Sequence, residues 1–90
     1  MNERLTAKFR VELEAKAFKD FQNLPPVIQA RVRDALTELE SFPAVSNITQ
    51  LKGGAGWRKR VGDYRIIFLV EAAKLLIVVI KIGHRKDVYD

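Results

Sequence analysis

The sequence predicts a small α+β domain in which an N-terminal strand, an antiparallel two-helix hairpin and a three-stranded antiparallel β-meander form one four-stranded sheet. Two observations support this prediction. Apolar residues recur at helical spacing between residues 15 and 42, and they alternate or run continuously, as in strands, on either side of that region. Because 90 residues are too few to build two cores, residues 1–90 are expected to form a single domain.

The first half of the chain predicts a strand followed by two helices. Apolar and charged residues alternate from Phe9 to Leu13, which predicts a half-buried strand over residues 6–13. The segment AKAFKDFQNL has apolar residues at helical spacing and ends at two consecutive prolines, which predicts a helix of about 10 residues. A second helix is predicted from about residue 26 to 41, since proline suits a first helical turn and an apolar stripe follows. The short connection predicts an antiparallel hairpin.

The second half predicts a loop and then three strands. Residues 43–56 contain a proline, small polar residues and the run GGAG, which predict an irregular connection. The segments WRKRV, YRIIFLV and LLIVVIKI follow, separated by the turn signal Gly62-Asp63 and by a short break. Connections this tight predict an antiparallel meander.

The positive charge is unevenly distributed along the chain. Residues 1–50 carry seven Lys or Arg against seven Asp or Glu, whereas residues 51–90 carry nine against four. A basic half of this kind indicates a polyanionic partner, which is either a nucleic acid or an acidic protein segment.

Four arginines in the basic half are candidate site residues. Strand alternation puts Arg58 and Arg60 on one face, and it sends Arg65 to the face opposite the apolar row of its own strand. Arg85 follows the last strand. One interpretation is a solvated face with an ion pair between Arg65 and a carboxylate near either end of its strand. The other is phosphate binding, because the planar guanidinium matches phosphate oxygens.

The C-terminal segment GHRKDVYD contains His84, which is the single histidine, and Tyr89. His84 fits either an ordinary surface position or a role in proton transfer near neutral pH. Tyr89 fits either packing or catalysis, so residue type alone leaves the function of this segment open.

The composition excludes several classes of site. Without cysteine and with one histidine, the usual structural zinc sites are not expected, and the sequence implies no metal and no cofactor. The first residues lack the apolar region of a signal peptide, and the apolar run Leu75–Ile80 is too short to span a membrane. A cytoplasmic location is expected.

Three segments together resemble the RelE/ParE toxin superfamily of type II toxin-antitoxin modules. They are VELEAKAFKDFQNLPPVIQARV, LKG followed by WRKRVGDYRIIFLV, and IVVIKIGHRKDVY, so the resemblance covers nearly the whole chain. RelE-like members of the superfamily cut mRNA in the ribosomal A site, through metal-independent attack of a ribose 2′-OH on the adjacent phosphate. ParE-like members poison DNA gyrase and lack the basic catalytic set.

The basic residues present here favour a RelE-like fold and activity. The resemblance implies that Arg58 and Arg60 form a basic pair, that Arg65 stabilises the transition state, and that His84 shares or replaces the role of Tyr89. The implied site residues are the catalytic Arg65, Arg85, Tyr89 and His84 and the RNA-binding Arg58, Arg60, Lys52 and Lys86.

The resemblance also implies partners. They are the ribosome with its mRNA and a cognate acidic antitoxin protein, with which the chain would form a hetero-oligomer. Two alternatives stay open at this point, namely a ParE-like gyrase inhibitor and a non-toxic basic RNA-binding domain.

Overall fold

The computed structural model describes residues 8–86, and these form two helices and five strands. In chain order they are β1 (Arg10–Leu13), α1 (Ala15–Gln22), α2 (Pro26–Glu38), β2 (Ile48–Gln50), β3 (Trp57–Val61), β4 (Tyr64–Glu71) and β5 (Leu76–His84). Short 3-10 turns follow α2, β2 and β4. Among these described residues, no helix has the length and apolar character needed to cross a membrane.

The strands form one mixed sheet in the order β1-β5-β4-β3-β2. Strand β4 pairs antiparallel with both β3 and β5, so the predicted meander is confirmed. Strand β1 pairs parallel with β5, and both helices and strands β2, β3 and β4 lie between them in the chain. The α+β class is confirmed.

The predicted four-stranded sheet is wrong, because the sheet has a fifth strand. Strand β2 lies within residues 43–56, which were predicted to be an irregular connection. It pairs antiparallel with β3 at the edge of the sheet and has only three residues. A strand this short has no readable alternation, and its position is determined by hydrogen bonding to β3 rather than by its own sequence.

The remaining boundaries are close to the predictions. Helix α2 ends at Glu38 and continues as a 3-10 turn, Leu39–Ser41, so the helical region ends where the periodicity indicated. Strand β1 begins at Arg10, and residues 6 and 7 of the predicted strand lie outside the described residues. The amide Nε2 of Gln29 donates hydrogen bonds to the carbonyls of Phe21 and Gln22, which fixes the connection between the helices.

A single core lies between the helices and one face of the sheet. The predicted stripe of α2 supplies Val32, Ala35 and Leu39, all of which are buried. The ring of Phe42 makes edge-to-face contacts with three other aromatic rings at one end of this core. The core residues are Ala17, Val32, Ala35, Leu39, Ile66, Phe68, Ile77, Val79 and Ile82.

A buried cation accompanies this apolar core. The side chain of Lys59 is 3% exposed, and its Nζ lies 2.9 Å from Oε1 of Glu38 and 2.8 Å from the carbonyl oxygen of Ser46. Glu38 also accepts hydrogen bonds from the backbone N–H and hydroxyl of Ser46. The hydrogen bond from Lys59 is the main reason why the pKa of Glu38 is lowered. This pair connects α2 to β3 on the helix side of the sheet.

Gly56 holds the connection between β2 and β3 against β4. Its φ is 104°, and a Cβ at this position would lie 2.7 Å from the carbonyl oxygen of Phe68 and 2.9 Å from a methyl carbon of Leu69. Only glycine fits both the dihedral angle and the close approach. The carbonyl of Gly56 also accepts a hydrogen bond from the backbone N–H of Leu51, 2.8 Å away, which closes the loop.

Candidate functional site

Three of the candidate arginines share the face of the sheet opposite the helices. Arg60 lies directly across from Arg65, and Arg58 lies across from Ile67. Residues paired across two strands point to the same side of a sheet. Since the neighbouring residues Ile66 and Phe68 belong to the core, the three arginines lie on the open face, as strand alternation predicted.

Arg65 lies at the centre of a positive cluster. Its pKa is lowered, first by loss of solvent around its guanidinium and then by the positive charges of Arg58, Arg60 and Arg85. Three guanidinium groups therefore lie within electrostatic reach of that of Arg65, and we call these four residues the arginine cluster. An anion placed among these groups would relieve the repulsion, so the cluster is suited to bind a phosphate.

Arg85 reaches the cluster from the end of β5. Its backbone N–H donates a hydrogen bond of 2.8 Å to the carbonyl oxygen of Asp63, in the turn between β3 and β4. This bond anchors the residue next to the strand ends that carry Arg60 and Arg65. Lys86 follows in an exposed turn.

His84 lies on the other side of the sheet from the cluster. Strand β5 has one extra residue, Ile80, between the partners of Ile67 and Phe68, and this reverses the alternation in the rest of the strand. His84 consequently pairs with Tyr64 on the helix side, and the two ring centroids are 5.3 Å apart.

A hydrogen bond holds the ring of His84 against the backbone that follows it. Its Nδ1 accepts this bond, of 3.2 Å, from the backbone N–H of Lys86. The imidazole therefore packs beside Tyr64 and the backbone of Lys86 instead of facing the guanidinium groups. Tyr89, the other predicted catalytic residue of this segment, lies outside the described residues.

Two grooves adjoin the arginine cluster along β2. The smaller one, of 170 Å³, is lined by Asn47, Thr49, Arg58 and Arg60. The larger one has a volume of 460 Å³. It is lined by Thr49, Gln50, Leu51, Lys52, Ala55 and Arg58. Both grooves are lined by Thr49 and Arg58, so they adjoin at this cross-strand pair, and Lys52 lines the larger groove only.

Sequence reasoning missed two contributors to this face. Lys81 lies across from Ile67 and therefore on the open face, because the extra residue Ile80 precedes it. Thr49 is brought beside Arg58 by strand β2, which the sequence did not reveal. Within residues 8–86, no group of three or more His, Cys, Asp or Glu side chains is arranged to hold a metal ion.

Comparisons with known proteins identify the family. Residues 11–89 match the family described as the ParE toxin of the type II toxin-antitoxin system, parDE. A Methanocaldococcus jannaschii protein that carries the name toxin RelE1 is 29% identical over 86 residues, which are 91% of this chain and 96% of the relative.

Solved structures are similar over the same length. The structure of the toxin-antitoxin complex RelBE2 from Mycobacterium tuberculosis matches with a TM-score of 0.77 and 25% identity, covering 90% of this chain and 95% of the matched chain. The archaeal RelE-RelB complex from Pyrococcus horikoshii matches with a TM-score of 0.76 and 26% identity, covering 90% and 99%. The family match and these similar proteins show that the chain belongs to the ParE toxin family of type II toxin-antitoxin systems, within the RelE/ParE superfamily.

Proposed function

We propose that this toxin is a ribosome-dependent endoribonuclease that cuts mRNA in the A site and so inhibits translation. The observation that carries the proposal is the arginine cluster, in which the charges of Arg58, Arg60 and Arg85 and the loss of solvent lower the pKa of Arg65. A preorganised group of cations on an otherwise open face is suited to the developing charge of phosphoryl transfer.

The proposed reaction uses the RNA itself as nucleophile. The ribose 2′-oxygen forms a bond to the adjacent phosphorus while the bond from phosphorus to the 5′-oxygen breaks, which gives a 2′,3′-cyclic phosphate and a free 5′-OH. Arg65, flanked by Arg58 and Arg60, stabilises the negative charge on the phosphate oxygens. Arg85 stabilises the leaving 5′-oxygen electrostatically, because an arginine scarcely gives up a proton, and solvent water supplies the proton that turns this oxygen into the 5′-OH.

Tyr89 is proposed as the base that takes the proton of the 2′-OH. The ordinary pKa of tyrosine is near 10, so this role requires cations close enough to favour the deprotonated form. The basic residues Lys52 and Lys86 would bind flanking phosphates, and the ribosome would hold the mRNA in register. This division of roles explains how a small open face without a deep pocket supports cleavage.

Replacing Tyr89 and His84 separately tests the assignment of the base. Tyr89→Phe is expected to lower the cleavage rate by about 100-fold, which is at the lower end of what a general base contributes. His84→Gln is expected to lower it by less than about three-fold, because His84 packs against Tyr64 on the helix side. Single-turnover cleavage on programmed ribosomes measures both. A large loss in His84→Gln with little loss in Tyr89→Phe would reverse the assignment.

Mapping mRNA 5′ ends after induction tests the function itself. New ends within translated frames, at A-site positions of stalled ribosomes, are expected within minutes of induction. Growth arrest without such ends would reject the endoribonuclease. The same RNA samples from a strain that carries the empty vector provide the baseline.

A gyrase inhibitor is the second candidate, and the match to the ParE family over residues 11–89 favours it. That activity requires binding to gyrase but none of the arginine cluster. Induced DNA breaks, a supercoiling defect and toxicity that persists in Arg65→Ala would support this alternative. Harmless overexpression would instead indicate a non-toxic RNA-binding domain.

A cognate antitoxin is the proposed protein partner. The similar structures from M. tuberculosis and P. horikoshii are toxin-antitoxin complexes. An acidic antitoxin segment would complement the basic half of this chain, which carries nine Lys or Arg against four Asp or Glu. A stable hetero-oligomer in the cytoplasm, where ribosomes and mRNA are found, is therefore proposed.

A further inference from the structure

We infer that the larger groove beside β2 holds one unstacked nucleotide of the mRNA, next to the phosphate bound by the arginine cluster, and discriminates among its bases. This inference rests on the proposed function. The groove adjoins the cluster, because Arg58 lines it, and because Thr49 and Arg58 also line the neighbouring 170 Å³ groove that reaches Arg60. A strand of RNA that places one phosphate among the arginines is thereby directed along β2.

The lining of the larger groove matches the chemistry of a single nucleotide. Leu51 and Ala55 offer apolar surface to the face of a base, while Lys52 and Arg58 place positive charge on either side for phosphates. Apolar contact with bases combined with cations along the backbone is the usual mode of binding to single-stranded nucleic acid. The volume lies within the range of small-molecule sites.

Thr49 is the residue placed to discriminate among bases. It lies directly across from Arg58 and hence on the open face, at the junction of the two grooves. Its hydroxyl both donates and accepts a hydrogen bond, so it can pair with the edge of a base. One such bond changes an equilibrium by about five-fold, which corresponds to about 1 kcal/mol.

The loop of residues 51–56, which forms one wall of the larger groove, is held in place before RNA binds. The loop closes through the hydrogen bond from the N–H of Leu51 to the carbonyl of Gly56, and the close approach of Gly56 to Phe68 presses it against β4. A Lys52 carbonyl accepts a further bond from the N–H of Ala55 at 3.3 Å. A wall fixed in this way reduces the entropy lost on binding.

Base frequencies around many mapped cuts test the inference. In the wild-type protein, one position next to the cut is expected to show a base preference. In Thr49→Val, which keeps the branched shape favoured in strands, we expect that preference to fall by about five-fold, together with a drop in total cutting. Thr37→Val is the matched control, because the Thr37 hydroxyl bonds to the carbonyl of Arg33 on α2, and it should keep the wild-type pattern.

A second variant fills the groove instead of removing a hydrogen bond. The backbone of Ala55 has φ −75° and ψ 6°, which suits a larger residue. We expect Ala55→Leu to lower cutting by about ten-fold, equivalent to about 1.4 kcal/mol, without lowering the melting temperature. If Thr49→Val kept the wild-type base preference and Ala55→Leu cut mRNA as fast as the wild-type protein, the proposed nucleotide site in the larger groove would be wrong. If the wild-type protein made no cuts in mRNA, the proposed endoribonuclease function itself would be rejected. The experiment therefore distinguishes a wrong nucleotide site from a wrong function.

Discussion

Replacing Arg65 by alanine is expected to lower the rate of mRNA cleavage by about 10²–10³-fold, the usual effect of removing one preorganised charge-stabilising group. The effect should be the largest among the four arginines. Arg65 lies across from Arg60 at the centre of the open face, and all three other arginines contribute to its lowered pKa. Single-turnover cleavage on programmed ribosomes measures the loss, and growth after induction reports it in cells.

The same substitution should leave the fold intact. The positive charge of Arg65 is disfavoured in the folded protein, both by loss of solvent and by three like charges, so its removal relieves repulsion. We therefore expect a melting temperature equal to or above that of the wild-type protein. Inactivity combined with an unchanged or raised melting temperature separates a catalytic defect from unfolding.

Two further variants sharpen this test. Arg65→Lys keeps the charge but loses the planar fork that matches phosphate oxygens, and we expect it to recover only part of the activity. Arg10→Ala removes an exposed strand arginine of β1, which pairs with Glu12, and should cut like the wild-type protein. Full toxicity of Arg65→Ala in cells, without new mRNA 5′ ends, would contradict the endoribonuclease and favour gyrase inhibition.

The parts of the fold that follow from local periodicity could be predicted from the sequence. The apolar stripe of α2 and the tight connections of the meander are properties of neighbouring residues, and both are confirmed. Strand β2 could not be predicted, because three residues carry no period and only the β3 backbone defines their pairing. The parallel position of β1 beside β5 likewise joins residues that are far apart in the chain, so no local pattern encodes it.

In the candidate site, too, only the features that follow from local alternation could be predicted from the sequence. Alternation within β3 and β4 was enough to place Arg58, Arg60 and Arg65 on one face. The position of His84 was not accessible, since it depends on the single extra residue Ile80, and the apolar sequence around Ile80 gives no sign of it. The catalytic roles of these residues stay predictions.

Replacing Glu38 by glutamine is expected to destabilise the protein more than replacing its partner Lys59. In Glu38→Gln the ammonium of Lys59, 3% exposed, would keep only neutral acceptors, the carbonyl of Ser46 and the new amide oxygen, and would lose the negative charge that balances its own. Breaking a fully buried pair costs about 3–5 kcal/mol. Because the side chain of Glu38 is 41% exposed, solvent screens part of the interaction and we expect about 2 kcal/mol. Thermal unfolding should show a decrease of roughly 10 °C.

The pH dependence of this loss follows from the pKa of Glu38. The hydrogen bond from Lys59 lowers that pKa below the ordinary value of 4.5, so the folded protein binds the proton less readily than the unfolded chain. The stabilisation is therefore fully present above pH 4.5 and is lost as the pH falls through the folded value. The difference in unfolding free energy between wild type and Glu38→Gln should stay constant from about pH 7 to 5 and shrink below that.

Lys59→Met removes the other partner of the ion pair and tests whether the buried charge causes the loss in Glu38→Gln. It keeps the apolar stem in the core and leaves Glu38 as a partly hydrated carboxylate, so we expect a change within about 1 kcal/mol. The double variant should resemble Lys59→Met alone, because the cost of Glu38→Gln arises from the buried charge that Lys59→Met removes. Additive losses in the double variant would show that Glu38 stabilises α2 independently of Lys59. Since Lys59 lies on the helix side, between the open-face residues Arg58 and Arg60, the folded Lys59→Met variant should retain cleavage.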